Sequence, residues 1–313
     1  MKNPILRLFQ ITKPYLSSHY LDWLKNQTLL SQTLQRLHSN VLGHYLHDNF
    51  VFWLSTYANA REKQIKDYMT GRIEASVLCS DFIEYCFTHN IKLDKDKTLQ
   101  SFEEHDRISD IAVKNELKRL APKPRMNLLG FGLGTGYYER NIRQHLLDVG
   151  VAKQVKIYGF DPYAEPASDI TFLSQKDLAQ DNCPRFDIVT VRWVLHHIEI
   201  KHRWHDFISS INKCNNKSLV LMVEHGYLAN RFPPEQEKLY KFLTSTFDIV
   251  ANIGIRPGIF TSTIPPGKNF YVDYLNPADF TSISKGLSLK HSRAVYDVGP
   301  GFPNQTIYRL GIK

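Results

Sequence analysis

Hydrophobic and polar residues follow two different patterns along the chain, and the change falls near residue 120. Before it, apolar residues recur at intervals of three and four, as in residues 34–46 and 73–89, which is typical of amphipathic helices. Asp94 and Asp96, among lysines, are expected in a loop. A last helix is expected over residues 101–120, where Pro122 and Pro124 end it. We therefore predict a helical N-terminal domain over residues 1–120.

After residue 120, short apolar runs alternate with segments that suit helices. Such alternation is typical of an α/β fold with a doubly wound, mostly parallel sheet, which we predict for residues 121–313. A segment rich in Pro and Gly, residues 255–272, interrupts the alternation and is expected to be a loop. It is either a functional loop that could reach the mouth of a pocket or a loop packed under its own aromatic residues. The predicted strands are 126–131, 154–160, 186–193, 218–224, 288–297 and 305–312, and the predicted helices are 137–149, 174–180, 201–213, 234–246 and 277–285.

The first of these strands runs into a glycine-rich turn, with glycines at positions 130, 132, 134 and 136. A turn of this kind before a helix lets the backbone approach a ligand closely. The spacing is G-x-G-x-G, so no register gives the G-x-G-x-x-G of dinucleotide sites. The next strand ends in Asp161, an acid well placed to bind the two hydroxyls of a ribose. Together the turn and the acid predict a cofactor that carries a nucleoside.

These motifs and those that follow resemble the class I S-adenosylmethionine-dependent methyltransferase family. After the glycine turn and Asp161, residues 174–177 lie where the family has its adenine-binding loop, residues 186–198 resemble its fourth motif, and residues 218–224 its fifth strand. The resemblance covers residues 105–313 and implies a Rossmann-like fold with S-adenosyl-L-methionine as cofactor. The cofactor-binding residues that we predict are Gly130, Gly132, Gly134, Gly136, Asp161, Pro162, Asp177 and Arg192.

Gly130 is a departure from the family, which usually carries an acid at this position, just before the first glycine of its motif. In the family that acid helps to hold the amino group of the cofactor. Three alternatives follow for this chain: looser cofactor binding, another residue that does the same work, or a degenerate site.

Three histidines follow strands at the carboxyl edge of the predicted sheet, the edge where open α/β sheets bind ligands. His196 and His197 come after the fourth predicted strand, and His225 comes after the fifth. A histidine, with a pKa of about 6.5, can take a proton from a hydroxyl or a protonated amine during methyl transfer. We predict His197 as general base, with His196 and His225 as alternatives and a structural role for one of the pair. No H-x-x-x-H or H-E-x-x-H spacing is present, and we predict no metal.

The net charge is +8, from 39 Lys and Arg against 31 Asp and Glu, and the pI is about 9.1. These residues are scattered, whereas nucleic-acid binders concentrate them in a tract or on a face. We therefore predict methylation of a small organic acceptor at oxygen or nitrogen. One alternative is an RNA or protein methyltransferase, favoured by the pI and the helical domain. Another is a non-catalytic cofactor-binding or interaction module, favoured by Gly130.

The four cysteines have no C-x-x-C spacing, which indicates free thiols in a reducing compartment. No apolar run approaches the ~20 residues of a membrane span. The first residues are interrupted by Arg7, Gln10 and Lys13, unlike a signal peptide. We therefore expect a cytoplasmic protein without a membrane partner. The helical domain is expected to act as a lid, a substrate contact or the contact of a homodimer.

Overall fold

The computed structural model describes residues 10–15, 45–161, 164, 166–195, 214–225, 234–255, 289–296 and 305–312. By their contacts the residues fall into two units. The first comprises Met1–Arg107, Leu228–Val272 and Val298–Pro303, and the second comprises Ile108–Tyr227, Asp273–Asp297 and Asn304–Lys313. That residues 1–120 form a domain of their own stays a prediction.

The described elements are helices and strands in the order expected for a helical part followed by an α/β part. A single 3-10 turn, Lys13–Tyr15, precedes them. In chain order they are α1 (Tyr45–Ala60), α2 (Glu62–Met69), α3 (Ala75–Thr88), α4 (Lys95–Leu117), β1 (Lys123–Phe131), α5 (Tyr137–Asp148), β2 (Ala152–Phe160), β3 (Ile170–Phe172), α6 (Gln175–Ala179), β4 (Phe186–Arg192), β5 (Cys214–His225), α7 (Pro234–Ile255), β6 (Leu289–Tyr296) and β7 (Gln305–Ile312). None of the helices among the described residues is long and apolar enough to cross a membrane.

The first unit is held together by buried aromatic side chains from α1, α3 and α7. The ring of Tyr57 makes edge-on contacts with Phe82 at 5.0 Å and Tyr85 at 5.3 Å, and Phe242 lies 6.3 Å from it. The Tyr57 hydroxyl donates to Oδ2 of Asp81 at 2.7 Å, so the polar end of this buried ring has a partner. These aromatic residues therefore form core packing.

The second unit is built on one sheet of seven strands in the order β3-β2-β1-β4-β5-β7-β6. β1 pairs in parallel with β2 and β4, and β2–β3 and β4–β5 are also parallel pairs. β7 runs antiparallel to both of its neighbours, β5 and β6. The strand order reverses at β1 and β4, and in open α/β sheets ligands bind beyond the carboxyl ends of the strands at such a point.

Both faces of the sheet are buried along β4 and along residues 218–223 of β5, as their continuous apolar runs require. Leu128 and Leu129 are fully buried neighbours in β1 that point to opposite faces. Leu128 packs with Ile142 and Leu146 of α5, while Leu129 packs with Leu178 of α6. The structure confirms the predicted fold class, a Rossmann-like α/β sheet with helices preceding it.

Several element bounds differ from those predicted, each for a local reason. α4 begins at Lys95 because Asp94, which was expected in a loop, caps it by accepting the N–H of Lys97 at 2.9 Å. β1 begins at Lys123, whose N–H donates to the carbonyl of Val151. The proline that follows Lys123 is tolerated near a strand start.

α7 continues to Ile255, beyond the predicted end at residue 246, because Phe247, Val250 and Ile253 extend its buried face. β3 was not predicted, since its three residues are too short to show a period. The predicted helices 201–213 and 277–285 lie outside the described residues, as does the predicted loop apart from its first residue.

Candidate functional site

The turn between β1 and α5 is built on three glycines with left-handed backbone angles. The φ angle is +72° at Gly132, +61° at Gly134 and +71° at Gly136, a region that residues with a Cβ rarely adopt. A Cβ on Gly132 would in addition overlap Cγ2 of Val194. Because α5 begins directly after Gly136, the turn leads into the N-terminus of a helix. The turn therefore requires glycine at these positions and leads to the N-terminus of α5 at the carboxyl edge of the sheet.

Asp161 lies against this turn, directly after β2. The N–H of Gly134 donates to Oδ2 of Asp161 at 2.8 Å. The N–H of Gly132 donates to the carbonyl of Phe160 at 2.7 Å, so two hydrogen bonds fix the turn to the end of β2. The structure thus brings together two elements that the sequence predicted to share a cofactor site. The binding of a ribose by Asp161 stays a prediction.

Asp177 caps the short helix α6. Its Oδ2 accepts the N–H of Ser174 at 2.8 Å and the Oγ–H of Ser174 at 2.7 Å. Oγ of Ser174 in turn accepts the N–H of Asp177 at 3.2 Å, which completes a capping box. These hydrogen bonds hold the pKa of Asp177 below its usual value. The predicted contact of Asp177 with adenine is not tested, and the sequence analysis missed the capping role that the S-x-x-D pattern indicates.

Arg192, at the end of β4, is almost completely buried among partners from the same unit. Its Nη1 lies 3.8 Å from Oδ1 of Asp110 in α4. Its guanidinium lies over the ring of Tyr138 at 4.2 Å and over that of Trp193 at 5.2 Å. Burial lowers the pKa of Arg192 to about 9, so the group is still protonated at neutral pH. The predicted contact of Arg192 with the cofactor stays a prediction.

Trp193, directly after β4, adopts a φ of +51°, one of two such non-glycine residues among those described. Its N–H donates to the carbonyl of Val223 in β5 at 2.9 Å. Backbone strain in a residue with a large side chain costs on the order of 1–3 kcal/mol and is concentrated at functional sites. It falls here at the carboxyl edge of the sheet, beside the end of β5.

The most unusual group at this edge is Glu139, in the first turn of α5. Its side chain is buried, with a relative exposure of 3% for the residue. Oε1 lies 2.8 Å from Oγ1 of Thr190 in β4. Oε2 is also buried and has no hydrogen-bond partner among the described residues. Burial raises the pKa of Glu139 to about 7, and the nearby charge of Asp161 acts in the same direction.

Glu139 lies directly over Gly130 of β1. A Cβ at Gly130 would be 2.9 Å from both Cγ and Cδ of Glu139, too close for any side chain in the observed arrangement. The glycine therefore makes room for the carboxyl group. The sequence analysis missed Glu139 but noted Gly130, and an acid in the first turn of the next helix was the signal that could have led to it.

The candidate catalytic residues are only partly described. His225 is the last residue of β5, and its backbone pairs with Gln305 of β7. His196, His197 and Pro162 lie outside the described residues. The assignment of a general base among the histidines stays a prediction.

The described part of the site is suited to a ligand with hydroxyl groups and a positive charge. Asp161 is hydrogen-bonded to the glycine turn, and its charge is close enough to Glu139 to influence the pKa of Glu139. Carboxylates accept hydrogen bonds and attract cations, whereas they repel phosphates. The site is thus suited to a nucleoside with a cationic group, and not to a dinucleotide with its pyrophosphate.

Comparisons with known proteins agree with this conclusion. Residues 104–243 match the family model described as a methyltransferase domain. A sequence search of curated proteins found no match.

The chain is also similar, at low sequence identity, to solved structures of methyltransferases, among them the following three. An O-methyltransferase family protein from Burkholderia thailandensis is 9% identical, with a TM-score of 0.43, and the match covers 70% of this chain and 60% of that one. Magnesium protoporphyrin IX methyltransferase from Synechocystis PCC 6803, with bound SAH, is 13% identical, with a TM-score of 0.40 and coverage of 68% and 85%. The CurJ carbon methyltransferase is 11% identical, with a TM-score of 0.44 and coverage of 92% and 70%.

Proposed function

Since the chain is an S-adenosylmethionine-dependent methyltransferase, we propose that it methylates a small organic acceptor at an oxygen or a nitrogen atom. The observation that supports this cofactor site is the hydrogen bond from Gly134 to Asp161, which holds an acid against the glycine turn. Asp161 would bind the ribose hydroxyls, and Asp177 would lie at the adenine edge. The bound cofactor supplies a methyl group on a positively charged sulfur, from which a neutral thioether leaves.

The choice of a small acceptor is supported by the way basic side chains are used in the second unit. Arg140 and Arg143 both pair with Asp169, at 2.8 Å and 3.0 Å. Lys123 pairs with Asp187 at 2.6 Å. These three cations lie in ion pairs with two carboxylates, whereas a nucleic-acid surface presents a basic stripe to phosphates.

The proton that leaves a hydroxyl or protonated-amine acceptor requires a base at the carboxyl edge. β4 and β5 are paired there, with Arg192 opposite Val223, and His225 lies two residues beyond Val223. His196 and His197 follow β4 in the sequence. We therefore infer a base among these histidines, and place His197 first.

Transfer of an isotope-labelled methyl group to fractionated extracts tests the proposal. We expect the label in the small-molecule fraction, at oxygen or nitrogen. Label in RNA or protein would instead support the macromolecular alternative, and RNA binding should then weaken steeply with salt. Binding of S-adenosylhomocysteine without transfer to any fraction would support a non-catalytic module.

The base is tested by His197→Ala once an acceptor is known. Turnover should fall by about 10²–10⁴-fold with little change in cofactor affinity, because general base catalysis has this magnitude. The acidic limb of the rate–pH profile should disappear with the imidazole. His89→Ala, at the exposed end of α3, is the control and should leave both unchanged. Turnover and a pH limb like those of the parent would show that His197 is not the base.

A further inference from the structure

Gly130 and Glu139 are coupled in space. The sequence has a glycine in β1 where the family has an acid, and the structure has a carboxyl group from α5 in the space over that glycine. A side chain at position 130 and the observed position of Glu139 exclude each other, since the Cβ would lie 2.9 Å from Cδ of Glu139. The carboxyl group at this place in the fold therefore comes from the helix and not from the strand.

The hydrogen bonds of Glu139 are incomplete within the described residues. Thr190 can satisfy Oε1, and its Oγ1 also lies 3.2 Å from the carbonyl oxygen of Leu129. When Glu139 is protonated it can donate to Thr190, which then donates to Leu129. When Glu139 is ionised, Thr190 donates to Oε1, and the N–H of Glu139 and the charge of Arg140 also favour the ionised form. Oε2 is still buried with no hydrogen-bond partner among the described residues. A buried ionised carboxylate in this state is costly unless a cation or further donors reach it.

The position of this unsatisfied oxygen indicates what supplies the missing partner. Glu139 is in the first turn of the helix that follows the glycine turn, and Asp161 is hydrogen-bonded to that glycine turn. A cofactor bound along the turn carries an α-ammonium group at its amino-acid end. An ammonium group has three donors and a positive charge, and it matches a carboxylate with one occupied and one unoccupied oxygen.

We propose that the carboxylate of Glu139 binds the α-ammonium group of S-adenosylmethionine, and that Gly130 is a glycine because Glu139 occupies the space above it. Of the alternatives raised by Gly130, this is the one in which another residue performs the work of the missing acid. The proposal concerns the cofactor and holds for any acceptor.

The test measures the affinity of two ligands by calorimetry, for the parent and for Glu139→Gln. One ligand is S-adenosylhomocysteine, and the other is its deamino analogue, in which hydrogen replaces the α-ammonium group. The substitution should lower the affinity for S-adenosylhomocysteine by about tenfold to a hundredfold, which is the effect of losing a hydrogen bond between charged groups. It should leave the deamino analogue within about threefold of the parent, because that ligand never contacts the carboxylate.

A matched control is Asp148→Asn, which removes a negative charge from an exposed position at the other end of α5. It should change neither affinity. If Glu139→Gln loses affinity equally for both ligands, or loses affinity for neither, the proposal is overturned. A parent that binds no S-adenosylhomocysteine would overturn it together with the cofactor, whereas failure to find a small acceptor would leave it intact.

A rescue variant tests the exchange between strand and helix. Glu139→Ala should bind S-adenosylhomocysteine weakly, and Gly130→Asp added to it should recover part of the lost affinity. Gly130→Asp alone should not improve binding, because Glu139 fills the space. The new Cβ would also lie 2.7 Å from Cδ1 of Leu133, so the double variant requires that buried side chain to shift. A folded double variant, checked by circular dichroism, that binds no better than Glu139→Ala would contradict the proposed exchange.

Discussion

A buried carboxyl group lies at each end of the paired strands β1 and β4, and the two groups differ in how completely they are hydrogen-bonded. At the amino end, Asp187 accepts from Nζ of Lys123 at 2.6 Å and from the N–H of Asn127 at 2.9 Å. At the carboxyl end, Glu139 has one hydrogen-bond partner, Thr190, and a buried oxygen with none among the described residues. The first carboxylate is satisfied by the protein, whereas the second keeps one oxygen without a partner among the described residues.

The buried carboxyl group of Glu139 makes the stability of the folded protein depend on pH. Folding raises the pKa of Glu139 from 4.5 to about 7, so between these values the folded chain holds a proton that the unfolded chain releases. Stability therefore falls as the pH rises through this range, by up to on the order of 3 kcal/mol from this group. Retaining such a residue at the ligand-binding edge is consistent with a role in binding and not in stability.

The largest effect on the carboxyl end should come from Gly134→Val. The side chain would fill the space beside Asp161 that the cofactor needs, and S-adenosylhomocysteine should lose more than about a hundredfold in affinity, beyond the 2–3 kcal/mol of a single lost polar contact. Calorimetry gives the affinity, and thermal unfolding shows that the variant folds.

Gly150→Val separates ligand exclusion from backbone strain. Gly150 has a φ of +70°, close to the +61° of Gly134, and open space around its Cβ position. Both variants should lose a similar amount of stability, about 1–2 kcal/mol from the left-handed angle. Only Gly134→Val should lose the ligand. Unchanged affinity in a folded Gly134→Val variant would contradict the assignment of the turn.

At the amino end of the strands, Asp187→Ala should lower the stability of the protein and leave its ligand affinity nearly unchanged. The substitution leaves the N–H of Asn127 and the ammonium of Lys123 without this partner. Since Lys123 is 41% exposed, water screens much of the ion pair, and we expect a loss of about 1–3 kcal/mol. Denaturant unfolding measures the loss, and the affinity for S-adenosylhomocysteine should stay within about twofold. A large loss of affinity in Asp187→Ala would contradict the distinction between a structural carboxylate at the amino end and a ligand-binding one at the carboxyl end.

The sequence predicted most of the sheet because its strands are apolar on both faces and separated by clear turns. β7 was predicted with the bounds that the structure has, and the glycine turn with Asp161 was recognised from spacing alone. β3 escaped because three residues carry no period, and the start of α4 because Asp94 was taken for a loop residue instead of a cap. An element could be predicted from the local sequence where its hydrophobic pattern covered enough residues to show a period.

The site was harder to predict because its decisive contacts join distant parts of the chain. That Gly130 lacks an acid is visible in the sequence, but that Glu139 turns back over it depends on how α5 packs on β1 and β4. Nothing in the composition distinguishes Glu139 from exposed acids on other helices. The left-handed angle of Trp193 is equally invisible to pattern, since residues of this kind rarely adopt it.

The central claim, that the carboxyl edge leaves a carboxylate to be completed by the cofactor, is tested most directly by the protons released on binding. With a pKa of about 7, Glu139 is half protonated at pH 7 in the free protein, and pairing with an ammonium group ionises it. The charged groups that act on it are Asp161 and Arg140. Calorimetry of S-adenosylhomocysteine binding in buffers of different ionisation enthalpy measures the release.

The parent should release about half a proton more at pH 7 than Glu139→Gln does, as follows from half protonation. Subtracting the release of the variant from that of the parent removes the contribution of His196, His197 and His225, because both proteins contain these histidines. The difference should shrink at pH 9, where Glu139 is already ionised in the free protein. Equal release by the parent and the variant at pH 7 would contradict the claim that the cofactor completes this carboxylate.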